Sequence, residues 1–226
     1  MLGGIGFGYI LVMIAGLIIS GIASMWVKRS YSKHSKEMSA SGMTGAQVAR
    51  SILDRNGLTN VRVEPVAGKL TDHYDPRAKV VRLSEDNYNK PSIAGVSVAA
   101  HEVGHAVQDA TGYAPMKLRS GLVPVANFSN QLFMPLLLMG IFIAPFFFEL
   151  AAIVFAGVLL FHVVTLPVEI NASTRAYGQL TNYGFLSRKE AGGTKRVLSA
   201  AAFTYIAAAL TSLLMLVWLL LASQSE

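Results

Sequence analysis

Long apolar runs constrain this chain more than any other feature of its sequence. Residues 5–27 carry no charged side chain, and about 20 apolar residues are enough to cross a hydrocarbon core of about 30 Å as a helix. The block 132–168 is 37 residues long and suits two crossings with a break near Pro145, while residues 199–222 make another run. The sequence therefore predicts four transmembrane helices.

Basic residues predict how these helices are oriented. All 19 Lys and Arg residues lie either between residues 28 and 119 or between residues 175 and 196. Four spans with both termini outside place both stretches on the cytoplasmic face, as the positive-inside bias requires. In a chain that is 53% hydrophobic, the net charge of +6 thus indicates membrane orientation, and we expect no nucleic-acid partner.

The predicted fold class is an α+β membrane protein, with a water-facing region made of helices and a small antiparallel sheet. Its expected parts are an N-terminal anchor at 1–27, a cytoplasmic region at 28–120, a transmembrane hairpin at 121–168, a cytoplasmic segment at 169–198 and a C-terminal transmembrane helix with its tail at 199–226.

Local signals predict the elements of the cytoplasmic region. After a polar linker at 28–41, Thr44 and Gln47 form the pattern of a capping box, and Gly57 suits the end of that helix. Short strand-like runs follow at 61–63 and on both sides of the turn sequence 75–78, where Asp-Pro favours a hairpin. His34, in the linker, is expected to be solvated.

The stretch "AAHEVGHAVQDA", residues 99–110, carries the strongest chemical signal. In a helix that begins near Ser92 and ends at Gly112, His101 and His105 point the same way, and Glu102 lies about 100° round from His101. Two such imidazoles can hold zinc while the glutamate serves as a base. The apolar residues of this helix form one stripe, so its polar residues would also suit an ordinary wet face.

The chain has no cysteine, so only His, Asp and Glu remain as zinc ligands. A catalytic zinc needs a third protein ligand, and the predicted topology returns Glu169 to the same face as the histidine helix. His73, in the predicted hairpin, is the alternative. His162 lies about 10 Å from Glu169 along one helix, too far to share an ion, and a hydrogen bond within the membrane is its expected role.

Three segments, "LTDHYDPRAKVVRLSE", "SVAAHEVGHAVQDATGYAPMKLRS" and "LPVEINASTRA", resemble the bacterial YugP-like family of putative neutral zinc metallopeptidases. The resemblance implies zinc bound by His101 and His105, with Glu102 as the catalytic residue. A looser likeness to HtpX-like membrane peptidases implies Glu169 as the third ligand. Ser173 stands where those proteins have an aspartate that orients a ligand histidine, and its hydroxyl could accept an imidazole N–H.

The expected function is that of a membrane-embedded zinc peptidase of the gluzincin type. Zinc would make hydroxide available near neutral pH, and Glu102 would act as general base on a peptide or membrane-protein substrate. The alternatives are a metal-binding membrane scaffold without catalysis and a small metal or solute transporter. The transporter is disfavoured because the spans offer few polar residues besides His162. The sequence gives no indication of oligomeric state.

Overall fold

The computed structural model describes residues 2–224. Along this part of the chain the elements are α1 Leu2–His34, α2 Gly45–Arg55, β1 Arg62–Val66, β2 His73–Asp75, β3 Val80–Ser84, α3 Glu85–Asn89, α4 Ile93–Ala110, α5 Ala114–Phe142, α6 Phe146–Asn182 and α7 Ala191–Ser223. The last two residues of the predicted C-terminal segment 199–226 lie outside the described residues.

Four helices, α1, α5, α6 and α7, are long and apolar enough to cross a membrane, as the apolar runs predicted. The break between α5 and α6 contains Pro145, which confirms the predicted division of the long apolar block. The first helix, however, continues through His34, where a polar linker was expected. No proline or glycine follows Val27 until Gly42, so nothing in the sequence stops the helix at the end of its apolar run.

The chain divides into two compact units. The first comprises the described residues up to Ser24, residues Lys117–Pro167, and those from Phe203 onward. Its core packs Phe148 and Trp218 edge to face with their ring centroids 5.8 Å apart. Many large apolar side chains of this unit are exposed, including Phe142 at 80%. Such a surface suits contact with lipid.

The second unit comprises Met25–Met116 and Val168–Ala202. Its core joins α2, the sheet, α4 and the later part of α6 through a single cluster of buried side chains, among them Val48, Ile52, Leu83, Val103 and Leu180. The predicted caps of α2 are present: Thr44 and Gln47 form a complete capping box, and Gly57 has a φ of 72°.

The sheet has the strand order β1-β3-β2. Strands β2 and β3 pair antiparallel, as the predicted hairpin requires, but β1 and β3 are parallel. The expectation of an antiparallel sheet is therefore wrong for one of its two pairs, and the sheet is mixed. The reason lies in β3, whose Val80, Val81 and Leu83 are fully buried. The most apolar strand takes the centre of the sheet, so β1 pairs with β3 and not with β2. Because β2 and β3 run in opposite directions, a strand β1 that runs antiparallel to β2 is parallel to β3.

Helix α4 differs from the predicted helix with one apolar stripe. Its bounds agree with the prediction, since Ser92 caps the N-terminus and Gly112 adopts a φ of 65° just after the end. Of its 18 residues, however, 15 are buried, including both histidines and Glu102. The polar face is covered because the later part of α6 packs on it, at Gly104 and Ala172 among other positions. That partner lies more than 60 residues away in sequence, and the periodicity of α4 contains no sign of it.

Candidate metal centre

The two histidines of α4 occupy successive turns of one face. His101 is 8% exposed and His105 is 7% exposed, and their rings meet edge to face with centroids 4.7 Å apart. The helix is held in place by its N-cap, where the Ser92 hydroxyl accepts a hydrogen bond of 3.0 Å from the Gly95 N–H. Spacing and capping, both local properties of the sequence, thus present two imidazoles toward the same point.

Glu169, on α6, faces these two imidazoles. Its Oε2 atom lies 3.2 Å from His101 Nε2 and 3.6 Å from His105 Nε2, and its side chain is almost fully buried. One ligand atom from each of the three residues lies within 4.8 Å of the others. The structure therefore brings together the three side chains that were predicted as zinc ligands.

The donor set and its spacing fit a zinc ion. Two ligands of a tetrahedral zinc, each about 2.0–2.1 Å from the ion, are separated by roughly 3.3 Å. The two separations from Glu169 Oε2 to the histidine Nε2 atoms, 3.2 and 3.6 Å, bracket that value. Two imidazoles with one carboxylate also suit zinc better than magnesium or calcium, which prefer oxygen ligands.

The charge around His105 favours a cation. Burial by itself lowers the pKa of His105, but the carboxylates of Glu169 and Glu102, together with Gln108, outweigh it and raise the pKa above its ordinary value. A bound metal ion would take the place of the proton as the partner of this negative charge.

Glu102 lies on the same helix, next to His101, and is 8% exposed. Within residues 2–224 its carboxylate has no hydrogen-bond or ion-pair partner, whereas Glu169 contacts both histidines. Glu102 is thus free to interact with a water or substrate at the site.

Behind the three candidate ligands lie further polar side chains. The Ser173 hydroxyl is 3.2 Å from His101 Nδ1, in agreement with the orienting contact predicted from its position. Gln108 was not singled out from the sequence, yet it is fully buried and its Oε1 lies 3.0 Å from His105 Nδ1. Its position three residues after His105, on the same side of the helix, is the signal that could have identified it.

The other histidines lie outside this group. His73 is exposed on β2 and contacts the Thr71 carbonyl at 2.8 Å, so the structure does not bring the alternative third ligand to the centre. His162 Nδ1 is 2.8 Å from the Ser212 hydroxyl, the hydrogen bond expected of it. His34 is 4% exposed and pairs with Glu37 at 2.7 Å, so the expectation of a solvated histidine is wrong.

Gly104 explains how α4 and α6 come close enough to form the centre. A Cβ atom at this position would lie 2.7 Å from the backbone oxygen of Ala172. A glycine inside a helix costs about 1 kcal/mol relative to alanine, and here it permits the approach of one backbone to another. Glu169 is three residues before Ala172, so this contact also sets the distance between the glutamate and the histidines.

Comparison with known proteins finds a matching protein family and a similar bacterial protein. A family model described as "Putative neutral zinc metallopeptidase" matches residues 9–224. The chain is also 48% identical, over 206 residues, to a protein of Bacillus subtilis (strain 168) described as "Putative membrane protease YugP", with 91% of this chain and 92% of that protein covered. No solved structure matches the chain.

Proposed function

The chain belongs to the putative neutral zinc metallopeptidase family, and from this membership we propose that it is a membrane-embedded zinc peptidase with a zincin-like catalytic region. In this proposal His101, His105 and Glu169 hold the zinc ion, and Glu102 is the general base. The observation that carries it is that ligand atoms of three buried residues lie within 4.8 Å of one another, beside a glutamate that has no hydrogen-bond or ion-pair partner within residues 2–224.

Each residue has a distinct role in this reaction. When bound, zinc supplies Lewis acidity that polarises a peptide carbonyl and makes water nucleophilic near neutral pH. Glu102 accepts a proton from the attacking water and later donates it to the leaving amine, so one carboxylate serves both halves of the reaction. Burial of the site strengthens these electrostatic interactions, because the surrounding dielectric constant is low.

The sheet suggests how a peptide would be held. Strand β2 is at one end of the strand order, so its outer edge has no partner strand among the described residues. The Tyr74 hydroxyl on β2 donates a hydrogen bond of 2.6 Å to Asp109, which ties this edge to the same helix as the two histidines. An extended peptide can add to such an edge through main-chain hydrogen bonds. We expect substrates to be peptides or membrane proteins that bind in this way.

The proposed location of the site is the cytoplasmic face of the cell membrane, since all Lys and Arg residues fall in two stretches that four spans would place there. Single cysteines at Lys36, Lys117 and Arg188 should react with an impermeant maleimide only after the membrane is permeabilised, and a cysteine at Ser225 should react in intact cells. The natural chain has no cysteine, so each label reports one site. Labelling of positions 117 and 188 from opposite sides would refute this orientation.

Metal analysis combined with a hydrolysis assay tests the proposed reaction. Wild-type protein purified in detergent should contain about one zinc ion per chain and should cleave β-casein in a chelator-sensitive way. Glu102→Gln should keep its zinc, because all three ligands remain. Its rate of hydrolysis should fall roughly 10²- to 10⁴-fold, because the general base is lost. Glu169→Ala should lose both zinc and activity.

The same experiment separates a peptidase from a metal-binding scaffold. A scaffold would contain zinc without chelator-sensitive cleavage, and Glu102→Gln would then have no effect on any hydrolysis. Wild-type protein that contains no zinc and binds none on titration would contradict both functions.

A further inference from the structure

Gln108 makes a complete set of hydrogen bonds directly behind His105. Its Oε1 atom is 3.0 Å from His105 Nδ1, and its Nε2 donates to the Val168 carbonyl at 2.8 Å and to Asn171 Oδ1 at 3.0 Å. The side chain is fully buried, so water cannot replace any of these contacts. A buried amide with both ends engaged is held in a single orientation.

Two fixed groups determine which end of this amide faces the histidine. The Val168 carbonyl can only accept a hydrogen bond, so the Gln108 NH₂ group must face it. The guanidinium of Arg175 can only donate, and its Nε lies 2.7 Å from Asn171 Oδ1, so Asn171 presents its oxygen both to Arg175 and to Gln108. The oxygen of Gln108 is therefore the atom that faces His105.

The direction of these bonds sets the state of the His105 ring. An amide oxygen only accepts, so His105 Nδ1 must carry a hydrogen. In the neutral ring, Nε2 then has the free lone pair, and Nε2 is the atom that lies 3.6 Å from Glu169 Oε2. His101 is different, because its Nδ1 faces the Ser173 hydroxyl, which can either donate or accept. The contact behind His101 therefore leaves the hydrogen on its Nδ1 undetermined, whereas the contact behind His105 requires one.

We propose that Gln108 is a positioning residue that, with Asn171 and Arg175 behind it, holds His105 as the Nδ1–H tautomer with Nε2 directed at the metal. This inference rests on the proposed zinc function and extends it to residues that bind no metal themselves. Partners of this kind orient a ligand imidazole and raise its basicity, and their removal typically costs 10- to 100-fold in metal affinity.

The principal test replaces Gln108 by methionine, which has a similar length but neither donor nor acceptor. Zinc affinity is measured by competition with a chromogenic chelator. The tautomer of His105 is read from ¹⁵N NMR of the metal-free protein labelled at histidine, at a pH above the raised pKa of His105, where the ring is neutral. Wild type should show the signal of the Nδ1–H tautomer. Gln108→Met should lose that signal and should bind zinc about 10- to 100-fold more weakly. The matched control is Gln179→Met, the same change at a glutamine of α6 that contacts Asn56 and none of the candidate ligands.

A second pair of variants covers the case in which Gln108→Met does not fold. Asn171 is only partly buried, so its substitution should be tolerated. Asn171→Asp keeps an oxygen toward both Gln108 and Arg175 and should retain the tautomer and zinc affinity within about threefold of wild type. Asn171→Leu removes that oxygen and should weaken zinc binding more than the aspartate variant does.

The outcomes distinguish this inference from the proposed function. If wild type binds no zinc, both proposals fail. If wild type binds zinc and Gln108→Met binds it equally tightly with an unchanged His105 tautomer, only the role of Gln108 is overturned. Equal zinc affinity of Asn171→Leu and Asn171→Asp would likewise overturn the contribution of the residues behind Gln108. If Gln108→Met and Gln179→Met both bind zinc more weakly than wild type and to the same extent, the cause is a general loss of stability, and the role of Gln108 is overturned.

Discussion

The two units of this chain bury and expose opposite kinds of side chain. The first unit exposes large apolar residues such as Ile153 at 70% and Leu221 at 64%, and the polar side chains that it buries include the hydroxyls of Thr165 and Ser212. The second unit buries five polar side chains together around one point, namely His101, Glu102, His105, Gln108 and Glu169. In lipid an exposed apolar surface is stable, whereas a cluster of buried polar groups is costly in either environment unless the groups bind one another or a metal.

His162 shows what this contrast means for function. It lies in the first unit and satisfies Nδ1 with the Ser212 hydroxyl, so its environment needs no further ligand. His101 and His105, in the second unit, each face the Glu169 carboxylate and an orienting side chain, a set of groups that suits a cation between them. A histidine is thus a candidate ligand because of its neighbours, and its mere presence in a long apolar helix is weak evidence.

The largest predicted effect comes from making the same substitution at one histidine of each unit. His105→Leu should reduce bound zinc from about one ion per chain to less than a tenth, and should abolish hydrolysis, because two ligands do not hold a catalytic zinc. His162→Leu removes one hydrogen bond, worth about 1 kcal/mol, and should leave zinc content unchanged. Metal analysis of the two purified variants measures both effects. Loss of zinc in His162→Leu as well would show that the first unit contributes to the metal centre.

Much of the fold could be predicted because it depends on local properties of the sequence. Run length gave four helices long and apolar enough to cross a membrane, and the caps at Thr44, Ser92 and Gly112 gave the bounds of α2 and α4. The direction of β1 could not be predicted, since it depends on which strand takes the centre of the sheet. The end of α1 was also missed, because a change from apolar to basic residues ends a membrane span without ending a helix.

The candidate centre was predictable where residues are close in sequence. His101, Glu102 and His105 follow from helical spacing, and a costly glycine inside a helix, such as Gly104, is consistent with a close neighbour. That neighbour, Ala172, and the hydrogen bonds of Gln108 depend on the packing of α6 on α4, which sequence periodicity does not encode.

The second-largest predicted effect comes from disturbing the packing of α6 on α4 in the second unit. Gly104→Ala places a Cβ atom 2.7 Å from the Ala172 backbone oxygen, so the helices must separate. We expect a loss of about 1–3 kcal/mol in the free energy of unfolding and at least a tenfold loss of zinc affinity, since the distance between Glu169 and the histidines changes. Thermal unfolding in detergent and chelator competition provide the two measurements.

Gly178→Ala is the matched control on α6. A Cβ atom at this position would meet nothing within 4 Å, so the variant should gain up to about 1 kcal/mol from helix propensity and keep its zinc affinity. The two substitutions are thus expected to change stability in opposite directions. A Gly104→Ala protein that is as stable as Gly178→Ala and binds zinc normally would contradict the close approach of α4 and α6.

The smallest predicted effect concerns Glu190, a carboxylate of the second unit. It accepts hydrogen bonds from the Ala40 N–H at 2.6 Å and the Ser187 N–H at 2.8 Å. Partial burial raises the pKa of Glu190, but the hydrogen bonds from Ser187 and Ala40 outweigh it and hold the pKa below its ordinary value. A carboxyl group of this kind contributes stability that is fully present above the unfolded pKa of about 4.3 and is lost as the pH falls through the folded pKa.

Glu190→Gln should therefore lower the free energy of unfolding by about 1–2 kcal/mol at pH 7, because a charged acceptor is replaced by a neutral one. The difference from wild type should shrink as the pH falls below about 4, since wild type then becomes protonated at Glu190 as well. Glu85→Gln is the control: Glu85 is exposed and has no hydrogen-bond or ion-pair partner in the part of the chain that the structure describes, so its substitution should matter little at either pH. Thermal unfolding of wild type, Glu190→Gln and Glu85→Gln, at pH 7 and at a pH below about 4, measures the effect. A Glu190→Gln penalty that persists undiminished in acid would mean that the side chain acts through its shape, and that its charge does not stabilise the second unit.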